Sequence, residues 1–169
     1  MVEQAQAGEW TLVPDTPREV EALREKARAL VRRKATYAAG MAAIPIPGVD
    51  IASDIGMFAK LVDEINKLFG LTEEQIAKLD PRYRVIAYEA AMGAGGMMVG
   101  RAITKRLVTA VLRRVAAKLA AKQAAKIVPL AGQITAAAIG FTVFRKMGYQ
   151  HVDACAKVAQ ELLAAKAKT

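Results

Sequence analysis

The sequence predicts an all-α fold, a compact bundle of about six helices. Alanine is abundant and aromatic residues make up only 5% of the chain, a composition that favours closely packed helices over a sandwich or barrel. No run of alternating β-branched residues is long enough to predict a strand. A chain of 169 residues suits one domain with a sizeable core. We therefore expect a flexible N-terminal arm at 1–15 and a single helical domain at 16–169.

The first predicted helix begins with a capping pattern. Thr16 is the expected cap residue, Pro17 takes the first helical position and Glu19 the third. Apolar residues then follow at steps of three and four, which predicts an amphipathic helix that ends near 40–43.

A double-proline turn leads into the second predicted helix, 47–69. Pro47 suits the first helical position, because its φ is already helical and its missing N–H needs no partner there. Asp50 lies in the first turn, where the helix dipole favours a carboxylate, and Asp54 follows on the same face. Gly56 leaves room for another backbone to come close. The residues of this motif are Pro45, Pro47, Gly48, Asp50, Asp54 and Gly56.

A short helix at 73–79 is predicted next. Gly70 ends the preceding helix as a C-terminal glycine, and Thr72 with Gln75 forms a capping box. The Asp80–Pro81 pair then ends the short helix and begins another segment.

Segment 86–100 is apolar apart from Glu89 and holds four glycines. A nucleotide-binding loop matches it poorly, because no strand precedes the glycines and their spacing fits neither the dinucleotide nor the triphosphate motif. Gly96 and Gly100 instead predict a close helix–helix crossing, since they are four residues apart. In such apolar surroundings we expect Glu89 to pair with a basic residue or to have a raised pKa.

The net charge of +9 is concentrated in one segment. Residues 90–152 hold ten basic and no acidic residues, and the remaining 15 basic and 16 acidic residues sum to −1. We call 90–152 the acid-free segment; its charge is typical of a surface that binds anionic lipid, nucleic acid or an acidic partner. The predicted binding residues are Arg101, Lys105, Arg106, Arg113, Arg114, Lys118, Lys122, Lys126, Arg145 and Lys146. They do not keep to one face of a helix over 101–126, which indicates either a surface that changes partners along its length or a helix break near Thr104.

Residues 127–144 form an 18-residue stretch without charge. This length reaches the lower limit for a membrane-spanning helix. Pro129, Gly132 and Gln133 dilute its hydrophobicity, so a buried central helix is favoured over a spanning one. Gly148 is predicted to end this helix, and a last helix is expected at 150–165.

A faint internal duplication relates two parts of the chain. Segments 44–51 and 127–134 both place proline and glycine ahead of a helix, although their spacings differ by a residue or two. The pattern predicts two related helical hairpins, with Asp50 and Gln133 at matching helix starts.

The chemistry-bearing residues do not predict an enzyme. The single histidine, His151, and the single cysteine, Cys155, are four residues apart, and two ligands are too few for a structural zinc site. We interpret them as a partly exposed histidine and a small apolar cysteine. We predict no enzymatic activity, no metal and no cofactor. One cysteine cannot form an intrachain disulfide, which suggests a reducing compartment.

Two proline–glycine motifs give the chain a family resemblance. The string Ile44–Asp50, followed by a helix ending Leu68-Phe69-Gly70, together with Lys126–Ile134, resembles the YcjF-like helical domains that often sit C-terminal to bacterial GTPase domains. The chain is more distantly similar to the helical region of immunity-related GTPases. The likeness covers roughly 32–148 and implies a helical domain whose GTPase is encoded separately, because the chain has no phosphate-binding loop.

These observations together predict a helical module that binds a surface. We expect it to associate with anionic membranes or with an acidic protein surface, to lie in the cytoplasm at or in the inner membrane, and to form a homo-oligomer. Nucleic-acid binding is the alternative, although aromatic residues for stacking are nearly absent from the acid-free segment. A second alternative is a pore-forming or membrane-permeabilising protein.

Overall fold

The computed structural model describes residues 14–42, 51–123 and 133–168. Within these ranges the chain forms five helices of at least 13 residues and one of five residues, with no strand, so the all-α prediction is confirmed. The helices are α1 (Pro17–Ala42), α2 (Ile51–Phe69), α3 (Glu73–Ala77), α4 (Pro81–Gly93), α5 (Lys105–Gln123) and α6 (Gln133–Lys166).

Helix α6 is the element around which the bundle is packed. It contacts α1, α2 and α4, whereas α5 packs on α2 and the short α3 packs on α4. The described side chains of α6 are buried at regular helical spacing from Phe144 to Leu162. The ring of Phe144 meets that of Phe58 on α2 edge to face, with centroids 5.0 Å apart. The core therefore lies between the C-terminal helix and the first two helices.

The predicted helix starts are confirmed by hydrogen bonds. The Thr72 hydroxyl accepts from the Gln75 backbone N–H at 3.2 Å, and the Gln75 side chain accepts from the Thr72 N–H at 3.0 Å, which completes the capping box. The Asp80 carboxylate accepts from the Arg82 N–H ahead of α4, which has Pro81 in its first turn. The helix break expected near Thr104 is also present, since Thr104 caps α5.

Gly70 ends α2 as predicted. Its φ is +70°, a conformation that a residue without a Cβ adopts at low cost. The Leu71 N–H donates to the Asn66 carbonyl at 2.8 Å and the Gly70 N–H to the Lys67 carbonyl at 3.2 Å. This pair of bonds is the Schellman arrangement, which satisfies carbonyls at the helix end.

The expected helix end at Gly148 is wrong, because α6 runs unbroken from Gln133 to Lys166. Gly148 lies at the crossing of α6 with α1. A Cβ built on it would lie 2.7 Å from Cγ1 and 3.0 Å from Cγ2 of the buried Val31. The glycine therefore permits close packing of two helices, and the helix continues because its backbone bonds are unaffected.

The helix–helix crossing predicted from Gly96 and Gly100 is also wrong, because 94–104 is not helical. Gly100 has a φ of +66°, and a Cβ on it would lie 2.6 Å from Cδ1 of Ile76. Its N–H donates to the carbonyl of Leu71 at 3.0 Å. These glycines form a tight turn that docks on the α2–α3 connection, which explains their spacing without a helix.

Candidate functional site

The basic residues of the acid-free segment are the largest set of predicted binding residues that the structure describes. Seven of the ten have described side chains, and every one of the seven is exposed. No ion pair joins any of the seven to a carboxylate of the described residues. The seven are Arg101, Lys105, Arg106, Arg113, Arg114, Arg145 and Lys146.

Helix α5 presents two of these cations directly away from the core. Val108 and Val111 are buried against the bundle, while Arg106 and Arg113 are exposed. The two arginines are seven residues apart, about two turns, so they lie on the same outer face of the helix. An acidic surface approaching α5 from outside would therefore meet two guanidinium groups in line.

Several predicted residues lie outside the described part of the chain. Lys118 and Lys122 belong to α5 and Asp54 belongs to α2, but their side chains fall outside the described set. Gln133 is the first residue of α6. The residues that fall wholly outside the described ranges are Pro45, Pro47, Gly48, Asp50, Lys126, Pro129 and Gly132.

Gly56 has open space beside it among the described residues. No described atom lies within 4 Å of a Cβ built on it, so the room predicted there is not filled by another described backbone. Glu89 does not lie in the apolar surroundings that its prediction assumed. It is exposed on α4, because the apolar residues around it in sequence fall on both the inner and the outer face of the helix.

An exposed apolar patch that was not predicted from the sequence adjoins the basic helix. Four of the five exposed large hydrophobic residues of the described chain lie within 85–97. Three of them share the outer face of α4, at spacings of three and four residues, and Met97 lies in the turn that follows. We call these residues the α4 patch: Val85, Tyr88, Met92 and Met97, exposed by 55%, 41%, 80% and 40%.

One contact joins the α4 patch to α5. Nη1 of Arg114 lies 3.8 Å from the sulfur of Met97. The Tyr88 hydroxyl lies 3.5 Å from the carbonyl oxygen of Gly100, the residue before the exposed Arg101. One cation of the acid-free segment, Arg114, therefore touches the apolar side chains, and Arg101 directly follows the residue that the Tyr88 hydroxyl approaches.

Two basic residues at the contact between α1 and α6 are paired with a carboxylate. Arg24 and Arg28 of α1 both bind the Asp153 carboxylate of α6, with nitrogen–oxygen distances of 2.8 and 3.1 Å. The guanidinium of Arg28 also lies 5.2 Å from the ring centroid of Tyr149. These half-buried pairs hold α1 on α6 and leave little free charge at that interface.

An open groove between α1 and α2 carries charges of both signs. Lys34 binds Glu64 at 3.0 Å and Lys67 binds Asp63 at 2.7 Å. These carboxylates offset the basic side chains at its rim, so the groove attracts anions less strongly than α5 does. Its lining residues are Lys26, Ala29, Leu30, Arg33, Glu64, Lys67 and Leu68.

A buried polar cluster links α2 and α6. Nε2 of His151 lies 2.9 Å from Oδ1 of Asn66, and the Asn66 amide nitrogen donates to the Met98 carbonyl at 3.1 Å. Because that amide nitrogen donates to Met98, Oδ1 is the Asn66 atom that faces the His151 ring. The Cys155 thiol also faces Oδ1 of Asn66, at 3.5 Å. Asn66 was not predicted from the sequence, although a polar residue on the buried, otherwise apolar face of α2 is a signal of such a cluster.

The cluster is placed for structure and not for nucleophilic chemistry. His151 is only 3% exposed, so its predicted partial exposure is wrong. Burial lowers the pKa of His151 to about 4, although a hydrogen bond with the backbone of Val62 acts in the opposite direction. Burial raises the pKa of the Cys155 thiol far above its usual range, so the thiolate that a nucleophile requires does not form near neutral pH.

The described residues offer no grouping of three or more histidine, cysteine, aspartate or glutamate side chains that could hold a metal ion. Within the same residues, no helix combines the length and the hydrophobicity needed to cross a bilayer.

Comparison with known proteins gives no match: no family model, no curated protein and no solved structure is similar to this chain.

Proposed function

We propose that this protein is a non-enzymatic helical module that binds anionic membrane surfaces through the acid-free segment. The observation that carries the proposal is the exposure of all seven described cations of that segment, none of them ion-paired with a carboxylate of the described residues. The motif at 44–56, which resembles YcjF-like domains, adds a separately encoded GTPase as a proposed partner.

The charge is sufficient for adhesion. A lysine or arginine close to an anionic leaflet contributes about 1 kcal/mol. If about half of the seven side chains reach the surface together, they contribute about 3 kcal/mol, which corresponds to more than a hundredfold in affinity. The attraction acts within a Debye length of about 8 Å at physiological ionic strength, so salt weakens it.

The test is sedimentation with vesicles of pure phosphatidylcholine and of phosphatidylcholine with 30% phosphatidylserine, over a series of NaCl concentrations. We expect binding to the anionic vesicles, weakening as salt rises, and little binding to the neutral ones. Equal binding to both, or binding to neither, would overturn the proposal. Tighter retention of duplex or single-stranded nucleic acid at the same salt would favour the nucleic-acid alternative, and dye release from the vesicles would favour permeabilisation.

A matched pair of variants separates the acid-free segment from total charge. R106Q with R113Q removes two cations from α5, and R32Q with K157Q removes two exposed cations from α1 and α6 outside the segment. Both doubles lose the same net charge. We expect the first to reduce anionic-vesicle affinity about tenfold or more and the second to reduce it much less. Equal losses would assign binding to overall charge.

A further inference from the structure

We infer that the α4 patch enters the interfacial region of an anionic bilayer, while the neighbouring cations hold the headgroups. This inference rests on the proposed function and adds the contact by which the protein meets the membrane. Exposed large apolar side chains are ordinarily scattered on a protein surface, whereas contiguous ones mark interaction sites. In this chain four of the five described ones fall within 85–97.

The chemistry of the patch fits a membrane interface. Met92, 80% exposed, and Met97 supply flexible apolar side chains, and Tyr88 combines an apolar ring with a hydroxyl close to the Gly100 carbonyl. Tyrosine is enriched at the boundary between hydrocarbon and water, because one end of its side chain is apolar and the other is polar. Shallow insertion of such an apolar face, 5–10 Å deep, is how interfacial helices bind.

Charge complementarity favours an anionic bilayer as the partner that binds the α4 patch. Arg114 touches Met97, and Arg101 follows Gly100 on the same turn. When the apolar side chains enter the bilayer, the guanidinium of Arg114, which touches Met97, comes to the depth of the lipid phosphates. A second copy of this chain would bring the same cations against each other, which opposes self-association through this face.

One acidic residue lies on the same face. Glu89 is exposed between Tyr88 and Met92, so its carboxylate approaches the anionic surface along with the apolar side chains. We therefore expect E89Q to strengthen binding to anionic vesicles several-fold. E161Q changes the same charge at an exposed position of α6 and should have a smaller effect.

Insertion is measured with single-tryptophan variants. Trp10, the only tryptophan, is replaced by W10F, and a new probe is introduced by M92W in the α4 patch. Y37W, on α1, is the matched control, because Tyr37 is the one exposed large hydrophobic residue of the described chain outside the patch. Each variant is mixed with anionic vesicles containing brominated lipid, and its binding is measured separately by sedimentation.

We expect the fluorescence of M92W to shift to shorter wavelength and to be quenched by the brominated lipid, and that of Y37W to do neither. Substitution M92S should reduce about tenfold the binding that persists at 0.5 M NaCl. Sedimentation with vesicles but no quenching of M92W would overturn this inference and leave the proposed function in place. No sedimentation at all would overturn both. A wavelength shift that depends on protein concentration without vesicles would assign the patch to contact between copies of the chain.

Discussion

Replacing Gly148 by alanine tests the packing of α6 on α1. A Cβ at this position would lie 2.7 and 3.0 Å from the two γ-carbons of Val31 and 3.4 Å from its β-carbon. Val31 is fully buried, and its branched side chain has one strongly preferred rotamer in a helix. The valine therefore cannot move aside without shifting the helix that carries it.

Two opposing effects set the size of the change. Overpacking a core typically costs 1–3 kcal/mol, and we take about 2 kcal/mol here. Alanine in place of glycine inside a helix contributes about 1 kcal/mol in the stabilising direction. We therefore expect G148A to lower the free energy of unfolding by about 1 kcal/mol, which corresponds to a decrease in Tm of about 2–4 °C for a chain of this size.

The control is G40A on the exposed end of α1. No described atom lies within 4 Å of a Cβ at Gly40, so we expect helix propensity to act alone and the variant to be more stable by about 0.5–1 kcal/mol. Urea unfolding followed by circular dichroism measures both variants. A double-mutant cycle with V31A then isolates the contact. In that background the γ-carbons are gone, and G148A should become stabilising. An equal effect of G148A with and without V31A would refute the close-packing argument.

Three further predictions concern the α6 helix. First, the free energy of unfolding should fall by about 3 kcal/mol as the pH drops from 6.5 to 4, because the pKa of His151 is lowered to about 4 in the folded state and the unfolded chain takes up the proton first. H151Q should flatten this dependence, and an unchanged slope would contradict the assignment. Second, D153N should destabilise the protein by about 1–2 kcal/mol in chemical unfolding, because half-buried Arg24 and Arg28 both lose a charged acceptor. An effect as small as that of a surface ion pair would show that solvent screens the two salt bridges to Asp153. Third, Cys155 should react with a thiol reagent no faster than local unfolding exposes it, because the thiol is fully buried and its pKa is raised. Rapid labelling of the folded protein would show that the buried cluster of Asn66, His151 and Cys155 is accessible to solvent.

The sequence predicted the helices and their starts better than it predicted their arrangement. Thr72, Asp80 and Gly70 act through neighbours within five residues, so their roles follow from local pattern. Gly148 depends on Val31, more than a hundred residues away in the chain. A glycine inside an apolar run is equally consistent with a helix end and with a helix crossing, and only the tertiary contact distinguishes them.

The same limit applies to the proposed binding surface. Valine, tyrosine and methionine at steps of three and four in α4 form a stripe of the kind that ordinarily faces a core. Here the buried side of α4 is formed instead by Tyr83, Ala87 and Ala91, two of them small enough for α6 to pack closely. Apart from Tyr83, the smaller residues therefore lie inside and the larger apolar ones outside. From hydrophobicity alone, the face that carries the α4 patch would be predicted to be the buried one. The patch is exposed because α6 covers the other face of α4, and periodicity does not show which face a neighbouring helix covers.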